Sequence, residues 1–268
     1  MKKVWCRLMN KNNNFQHFLH CEAVGIGQDN EMEKSGDFSL LEKDTLHLWS
    51  AQYNNLNSYF PFVSDFLSQR EWEKSSQFLN PADARRYVLR HGMVRFILGN
   101  YTNIDPKLLP LVHDMNGKPG LYPQSKFHEL SFSLSHTDQI VCIGVIIHNR
   151  IGIDIVKNDP GYPFHHSIEY LFTPREKEFM SGIEPGQRYQ MFFRIWALKE
   201  AIVKATGDGI RMMSTTDVTN IIEDPGHASS QIVKINEKPT DFFIYQFSPD
   251  TAYQGAAAIC MSGKNSTT

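Results

Sequence analysis

The stretch Phe192-Phe193-Arg194-Ile195-Trp196-Ala197-Leu198-Lys199-Glu200-Ala201-Ile202-Val203-Lys204 limits the fold of this chain more than any other. No Gly or Pro interrupts Gln187 to Ala205. The segment therefore reads as a helix of about five turns at roughly 3.6 residues each. A step of about 100° per residue puts Phe192, Phe193, Trp196, Ala197 and Val203 on one apolar arc. Glu200 falls near the middle of that arc, with Lys199 and Lys204 at its two edges. A carboxylate centred on an apolar face is costly to bury unless it is paired, hydrogen-bonded or bound to a metal. Two readings stand at this point. One is an ordinary i,i+4 Glu200–Lys204 pair, worth roughly a few tenths of a kcal/mol. The other is a chemical site.

The rest of the composition narrows the class of protein. With 268 residues the chain can form one large domain or two smaller ones around a real core. A formal net charge of −2 leaves no basic footprint, so no nucleic-acid partner is expected. Cys6, Cys21, Cys142 and Cys260 are widely spaced with no CxxC pair, which suggests neither a zinc site nor a disulfide framework. Reduced cysteines in a cytoplasmic protein are the expectation. Polar residues from Arg7 onward leave no apolar core for a signal peptide after Met1-Lys2-Lys3. No run of about 18 apolar residues occurs, so no membrane span is expected.

Residues 1–44 are polar and poorly periodic and read as an N-terminal extension, partly flexible. Residues 45–150 and 151–262 read as two α+β lobes, each with a long helix and strands. A strand is expected over Thr45 to Tyr53 and a helix around Pro61 to Phe78. Asn80 as N-cap, Pro81 at the first helical position and Asp83 in the first turn open a long helix. Arg95 of that helix lies beside Ala84, Val88 and Gly92. Small neighbours leave room for an approaching anion. Asn116-Gly117-Lys118-Pro119-Gly120 is a turn that presents one lysine. Leu130 to Ser135 alternates apolar residues with Ser131, Ser133 and Ser135, giving a strand with a small polar face that ends at His136. Ile140 to Ile147 and Ile151 to Val156 read as two strands of a hairpin joined at His148-Asn149-Arg150.

In Ile151 to Val156 the isoleucines share one face, and Gly152, Asp154 and Val156 share the other. Asp is disfavoured in strands and expensive to bury. Asp154 is therefore either a hydrogen-bonded structural residue or a metal ligand or charge partner. Thr173-Pro174-Arg175-Glu176 is a capping box that starts a helix through Met180. Gly207-Asp208-Gly209 ends the long Glu200 helix, and strands are expected near Ile232–Ile235, Phe242–Phe247 and Tyr253–Cys260. Together, Asp154 and Glu200 offer carboxylates in unfavourable places, and Arg95, Lys118, His136 and Lys204 offer anion-binding groups. Two carboxylates with room for waters suit Mg²⁺, which completes its octahedron with substrate phosphates. The residues alone thus point to a Mg²⁺-dependent enzyme acting on a diphosphate. Neither a P-loop nor a G-x-G-x-x-G fingerprint occurs.

The ordered segments Gly117-Lys118-Pro119, Ser133-Leu134-Ser135-His136-Thr137, Gly152-Ile153-Asp154-Ile155-Val156 and Trp196-Ala197-Leu198-Lys199-Glu200-Ala201-Ile202-Val203-Lys204 resemble the motif set of the 4′-phosphopantetheinyl transferases. The closer resemblance is to the larger, surfactin-synthetase-activating type, and it spans roughly residues 45–260. It implies a two-lobed α+β pseudo-dimer of similar halves, with coenzyme A and Mg²⁺ in the cleft between the lobes. It implies Asp154 and Glu200 as metal ligands, and Arg95, Lys118, Ser135, His136, Lys199 and Lys204 as ligands of the coenzyme A phosphates. Glu200 and Lys204 are the implied catalytic groups. The implied reaction transfers the phosphopantetheine arm to a serine of an apo acyl or peptidyl carrier protein and releases adenosine 3′,5′-bisphosphate, and the chain is expected to be a monomer. One position departs from the pattern: many larger members carry a second acid two residues after the aspartate, where this chain has Val156. That departure leaves metal preference open. It also motivates the alternative of a non-catalytic module that binds coenzyme A or a carrier protein.

Overall fold

A computed structural model describes residues 20–25, 41, 45–115, 117–123, 125, 127, 129–223 and 228–261. The expected extension over residues 1–44 lies largely outside these residues. One part of it does not fit the expectation: His20–Gly25 forms strand β1, paired antiparallel with β2 (Thr45–Gln52). His20 and Glu22 break the apolar alternation of this strand, and its backbone hydrogen bonds to β2 leave no trace in side-chain pattern.

The architecture is α+β in two similar halves. In the first half β2 is followed by four helices: α1 (Tyr53–Leu56), α2 (Phe60–Ser64), α3 (Gln69–Ser75) and the long α4 (Pro81–Thr102). A small hairpin of β3 (Leu111–His113) and β4 (Pro119–Leu121) leads to β5 (Leu130–His136) and β6 (Ile140–Ile147). The sheet order is β1-β2-β6-β5. In the second half β7 (Arg150–Lys157) precedes helices α5 (His165–Leu171), α6 (Pro174–Ser181) and the long α7 (Arg188–Thr206). Then come β8 (Thr216–Asp217), α8 (Thr219–Glu223), β9 (Ala228–Ile235), β10 (Lys238–Phe247) and β11 (Tyr253–Cys260), in sheet order β7-β11-β10-β9-β8. The shared unit is strand, long helix, two strands, with the last strand inserted beside the first. The order β2-β6-β5 repeats as β7-β11-β10.

Alternation along the strands builds three cores. Trp49, Val141, Ile143 and Val145 face Leu89, Met93 and Ile97 of α4. Phe242, Ile244, Ala256 and Ala258 face Ile195, Leu198 and Ile202 of α7. Between the sheets, Leu46, Leu48, Cys142 and Ile146 meet Ile151, Ile153, Ile155, Phe243 and Ile259. The layers therefore run helix, sheet, sheet, helix.

Two sequence expectations need correction. Pro61 to Phe78 is not one helix but α2 and α3, because Ser68 starts a fresh helix with a capping box to Glu71. The β6–β7 hairpin does not form. Both edges of β6 are taken by β2 and β5, so the chain turns at His148-Asn149 into the other sheet. The isoleucines of β7 press on the face of β6 instead. A Cβ added at Gly144 would stand 2.2 Å from Ile153 Cδ1. Among the described residues no helix is long and apolar enough to cross a membrane.

Candidate active site

β7 ends its sheet, so the groups on its outer edge have no strand to pair with. A buried backbone group without a partner is costly. Side chains take the strand's place. Ser133 Oγ accepts the Ile153 N–H at 3.0 Å, and Ser135 Oγ accepts the Ile155 N–H at 3.2 Å. Lys118 Nζ donates to Ile151 O at 2.7 Å, and Lys204 Nζ donates to Ile153 O at 3.2 Å. The small polar face of β5 is thus a substitute ladder for the free edge of β7.

Asp154 lies on the face of β7 turned to α7. Gly152 permits the approach, since a Cβ there would stand 1.9 Å from Ala201 O. The missing Cβ lets the last turns of α7 sit directly on the strand. Asp154 is 5% exposed. Its Oδ1 accepts from Ser135 Oγ at 2.8 Å and pairs with Lys204 Nζ at 2.6 Å. Its Oδ2 is buried and finds no hydrogen-bond partner. Trp196, Glu200 and Lys204 recur at four-residue spacing and form a half-buried strip on a helix whose other faces are largely buried. Burial raises the pKa of the Glu200 carboxyl, and the Asp154 charge adds to the rise against the pull of Lys204.

Two carboxylates that feel each other's charge, one with an orphaned buried oxygen, suit a hard divalent cation that keeps several waters. Among the described residues no group of three His, Cys, Asp or Glu is arranged to hold a metal. The reason is local: Val156, on the Asp154 face, packs against the α7 core and supplies no ligand. Glu200 and Lys204, with Lys118 and Ser133, line a cavity of about 280 Å³. Trp196, with His136, Val156 and Phe193, lines a larger one of about 760 Å³.

The structure brings Ser135, Asp154, Glu200 and Lys204 together. His136 is exposed at the end of β5, and its pKa is lowered by partial desolvation and by the Arg90 and Lys204 charges. Lys118 reaches the same cleft, but its amine is engaged by Ile151 O and by Lys204 O at 2.6 Å. Arg95 and Lys199 stand apart from the cleft. Lys199 is fully buried, with Nζ 2.5 Å from Glu176 Oε2 and 2.7 Å from Thr216 O. Burial pushes its pKa down against the pull of Glu176. Arg95 is 3% exposed, with Nε 2.7 Å from Glu71 Oε2 and Nη1 2.7 Å from Pro106 O. Lys199 has no surface to offer a phosphate, whereas Arg95, though committed to Glu71 and to Pro106 O, lines a cavity of about 340 Å³. The room expected at Gly92 is filled: a Cβ there would meet Val63 Cβ at 2.6 Å.

The two buried pairs are copies of one device. Glu71 and Glu176 each close a capping box, with Ser68 and Thr173. Each then binds a cation on the following long helix, 24 and 23 residues away. Glu71 is held down to a pKa of about 2: burial opposes its charge, but bonds from His91 and Ser68 and the Arg95 charge outweigh it.

A family model described as the 4′-phosphopantetheinyl transferase superfamily matches residues 150–260, and one for the N-terminal part of a 4′-phosphopantetheinyl transferase matches residues 49–147. The chain is 30% identical over 194 residues to the 4′-phosphopantetheinyl transferase HetI of Nostoc sp., covering 72% of this chain and 81% of that protein. The chain belongs to the 4′-phosphopantetheinyl transferases. These enzymes transfer the phosphopantetheine group of coenzyme A to carrier proteins. Further relatives are a 4′-phosphopantetheinyl transferase of Bacillus subtilis, 26% identical over 195 residues (72% of this chain and 81% of that protein), and an L-aminoadipate-semialdehyde dehydrogenase-phosphopantetheinyl transferase of Pongo abelii, 30% identical over 152 residues (54% and 49%).

For a transferase that binds coenzyme A, one cavity went unassigned in the sequence. Arg70, Lys74, Tyr87 and His113, with the Glu71–Arg95 pair, line a space of about 340 Å³ beside Gly117. Arg70 and Lys74 sit on α3, which the sequence merged into a longer helix. The Ser68-x-x-Glu71 capping box was the signal that could have separated it.

Proposed function

We propose that this transferase moves the 4′-phosphopantetheine arm of coenzyme A to a serine of an apo acyl or peptidyl carrier protein, in a Mg²⁺-dependent reaction that releases adenosine 3′,5′-bisphosphate. The observation that supports the site is the buried Asp154 Oδ2, unpartnered beside a Glu200 carboxyl whose pKa is raised. Asp154 and Glu200 would hold Mg²⁺, which when bound neutralises charge building on the diphosphate. Ser135 Oγ, at 2.8 Å, fixes the Asp154 carboxylate so that Oδ2 stays turned from Oδ1's partners. The Lys204 ammonium, 30% exposed in its side chain, neutralises the diphosphate from the helix side. The exposed His136 binds phosphate oxygens at the cleft rim.

Glu200 takes the proton of the carrier serine as its oxygen bonds to phosphorus and the P–O bond to adenosine bisphosphate breaks. A raised carboxyl pKa makes Glu200 a better base than an ordinary glutamate at neutral pH. The chain acts as a monomer, since both lobes come from one polypeptide. A cytoplasmic location accords with Cys21, Cys142 and Cys260, which are buried free thiols. The test is incubation with coenzyme A, Mg²⁺ and a panel of apo carrier proteins, read by intact mass. The expected result is a gain of one phosphopantetheine arm on at least one carrier, lost when Mg²⁺ is chelated. A folded protein that modifies no carrier in the panel refutes the reading.

A further inference from the structure

Lys118 stands in the first lobe, on the turn before β4, yet its amine lies in the second. Lys204 belongs to the last turn of α7, where carbonyls lack intrahelical partners. Two other carbonyls of that turn have donors: Val203 O takes the Gly207 N–H at 3.0 Å, and Thr206 O takes Arg150 Nη1 at 3.0 Å. Lys204 O takes Lys118 Nζ at 2.6 Å, and the same amine holds Ile151 O at 2.7 Å. A cation is also favoured at a helix C-terminus by the macrodipole. Lys204 is thus gripped at both ends, its carbonyl by Lys118 and its ammonium by Asp154.

We propose that Lys118 is a positioning residue for the transfer reaction. It ties the end of α7 to the edge of β7 across the lobes, so that Glu200 and the Lys204 ammonium are fixed relative to Asp154, and it does not itself bind the coenzyme A phosphates. Two of its three N–H groups are committed to carbonyls, which leaves it poorly placed to chelate a phosphate. Burial lowers its pKa to about 8, with Arg150 and Lys204 adding to the fall and Asp114 opposing it. The proposal rests on the reading that the α7–β7 cleft is where transfer occurs.

The experiment compares Lys118→Met and Lys118→Arg with the wild type in carrier modification, and measures coenzyme A affinity by calorimetry. A loosened last turn misplaces the reacting groups, so Lys118→Met should lose about ten- to a hundredfold in kcat. Its KM and Kd for coenzyme A should stay within about twofold, the signature of a group that acts only on the reacting geometry. Lys118→Arg, which can donate to both carbonyls, should recover most of the rate. A tenfold weaker Kd with kcat intact would make Lys118 a phosphate ligand and overturn the proposal, as would an unchanged kcat. If Lys118→Met does not fold, Lys118→Gln takes its place with a shorter, uncharged amide donor and an intermediate rate expected. Amide exchange over residues 203–207 gives a readout independent of turnover. Faster exchange in Lys118→Met supports the tie even if the wild type modifies no carrier, in which case the proposed function fails separately, and unchanged exchange refutes it.

Discussion

Replacing Lys199 by methionine separates a structural cation from a substrate ligand. Both side chains of the Lys199–Glu176 pair are 0% exposed. Methionine fills much of the lysine volume, so the main loss is charge. It leaves the Glu176 carboxylate with only its N–H donors, Thr173 at 2.8 Å and Val218 at 2.9 Å. Removing one partner of a buried ion pair costs about 3–5 kcal/mol, because the remaining charge stays desolvated. At about 2–4 °C per kcal/mol for a chain of this size, the midpoint of thermal unfolding should fall by roughly 6–20 °C. Glu176→Gln on the same background removes the stranded charge and keeps one acceptor oxygen, enough for either the Thr173 or the Val218 N–H. The double variant should therefore recover about half of the loss or more, a coupling of about 2 kcal/mol. Thermal and urea unfolding followed by circular dichroism measure the cycle, and calorimetry at a temperature below all midpoints measures coenzyme A binding. The reasoning fails if Lys199→Met unfolds at the wild-type temperature while its coenzyme A affinity falls tenfold. That outcome would return Lys199 to the cleft, as its place beside Glu200 in the sequence suggests.

Two further substitutions have expected outcomes. Glu200→Gln should abolish carrier modification with the fold intact, since shape is kept and charge lost. Its stability carries a sign that can be checked. A carboxyl pKa raised by folding means the native chain binds the proton more readily than the unfolded chain, so the charged form costs stability at neutral pH. Metal-free Glu200→Gln should thus unfold at a higher temperature than the wild type at pH 7, and the gap should close as pH falls through the usual carboxyl value of 4.5. A variant less stable than the wild type at pH 7 refutes the assignment. Gly152→Ala should cost about 3 kcal/mol or more and most of the activity, because its Cβ would stand 1.9 Å from Ala201 O and force α7 off β7. Urea unfolding with a parent-like midpoint would contradict it.

Much of this fold follows from local signals. Asn80 and Pro81 start α4 where capping chemistry places it, and the alternation through Ile151 to Val156 puts Asp154 on the α7 face. What the sequence hides is tertiary competition. The hairpin at His148-Asn149 has a sound local pattern, but pairing edges are shared resources, and β2 and β5 occupy both edges of β6. Arg95 and Lys199 look like the other motif cations from composition alone. Only contact with Glu71 and Glu176, each more than 20 residues upstream, sets them apart. Glu176 read as a capping residue and Glu71 is another, and a capping carboxylate has a second oxygen to spend. Ser133 and Ser135 read correctly as a polar strand face. Their partners, the N–H groups of a strand in another sheet, have no local trace.

The duplicated brace also records a history. Arg95 and Lys199 hold matching places on α4 and α7, and the residue after each is where the halves part. After Lys199 comes Glu200, and after Arg95 comes Phe96, 7% exposed in the core. Four residues on, Lys204 matches Asn100, whose amide donates to Phe96 O at 2.7 Å and faces no acid there. If the halves descend from one duplicated ancestor, the mechanical part of that ancestor was kept twice and its chemistry once. The first half was then free to change its surface, and it became the opposite wall of a single asymmetric cleft.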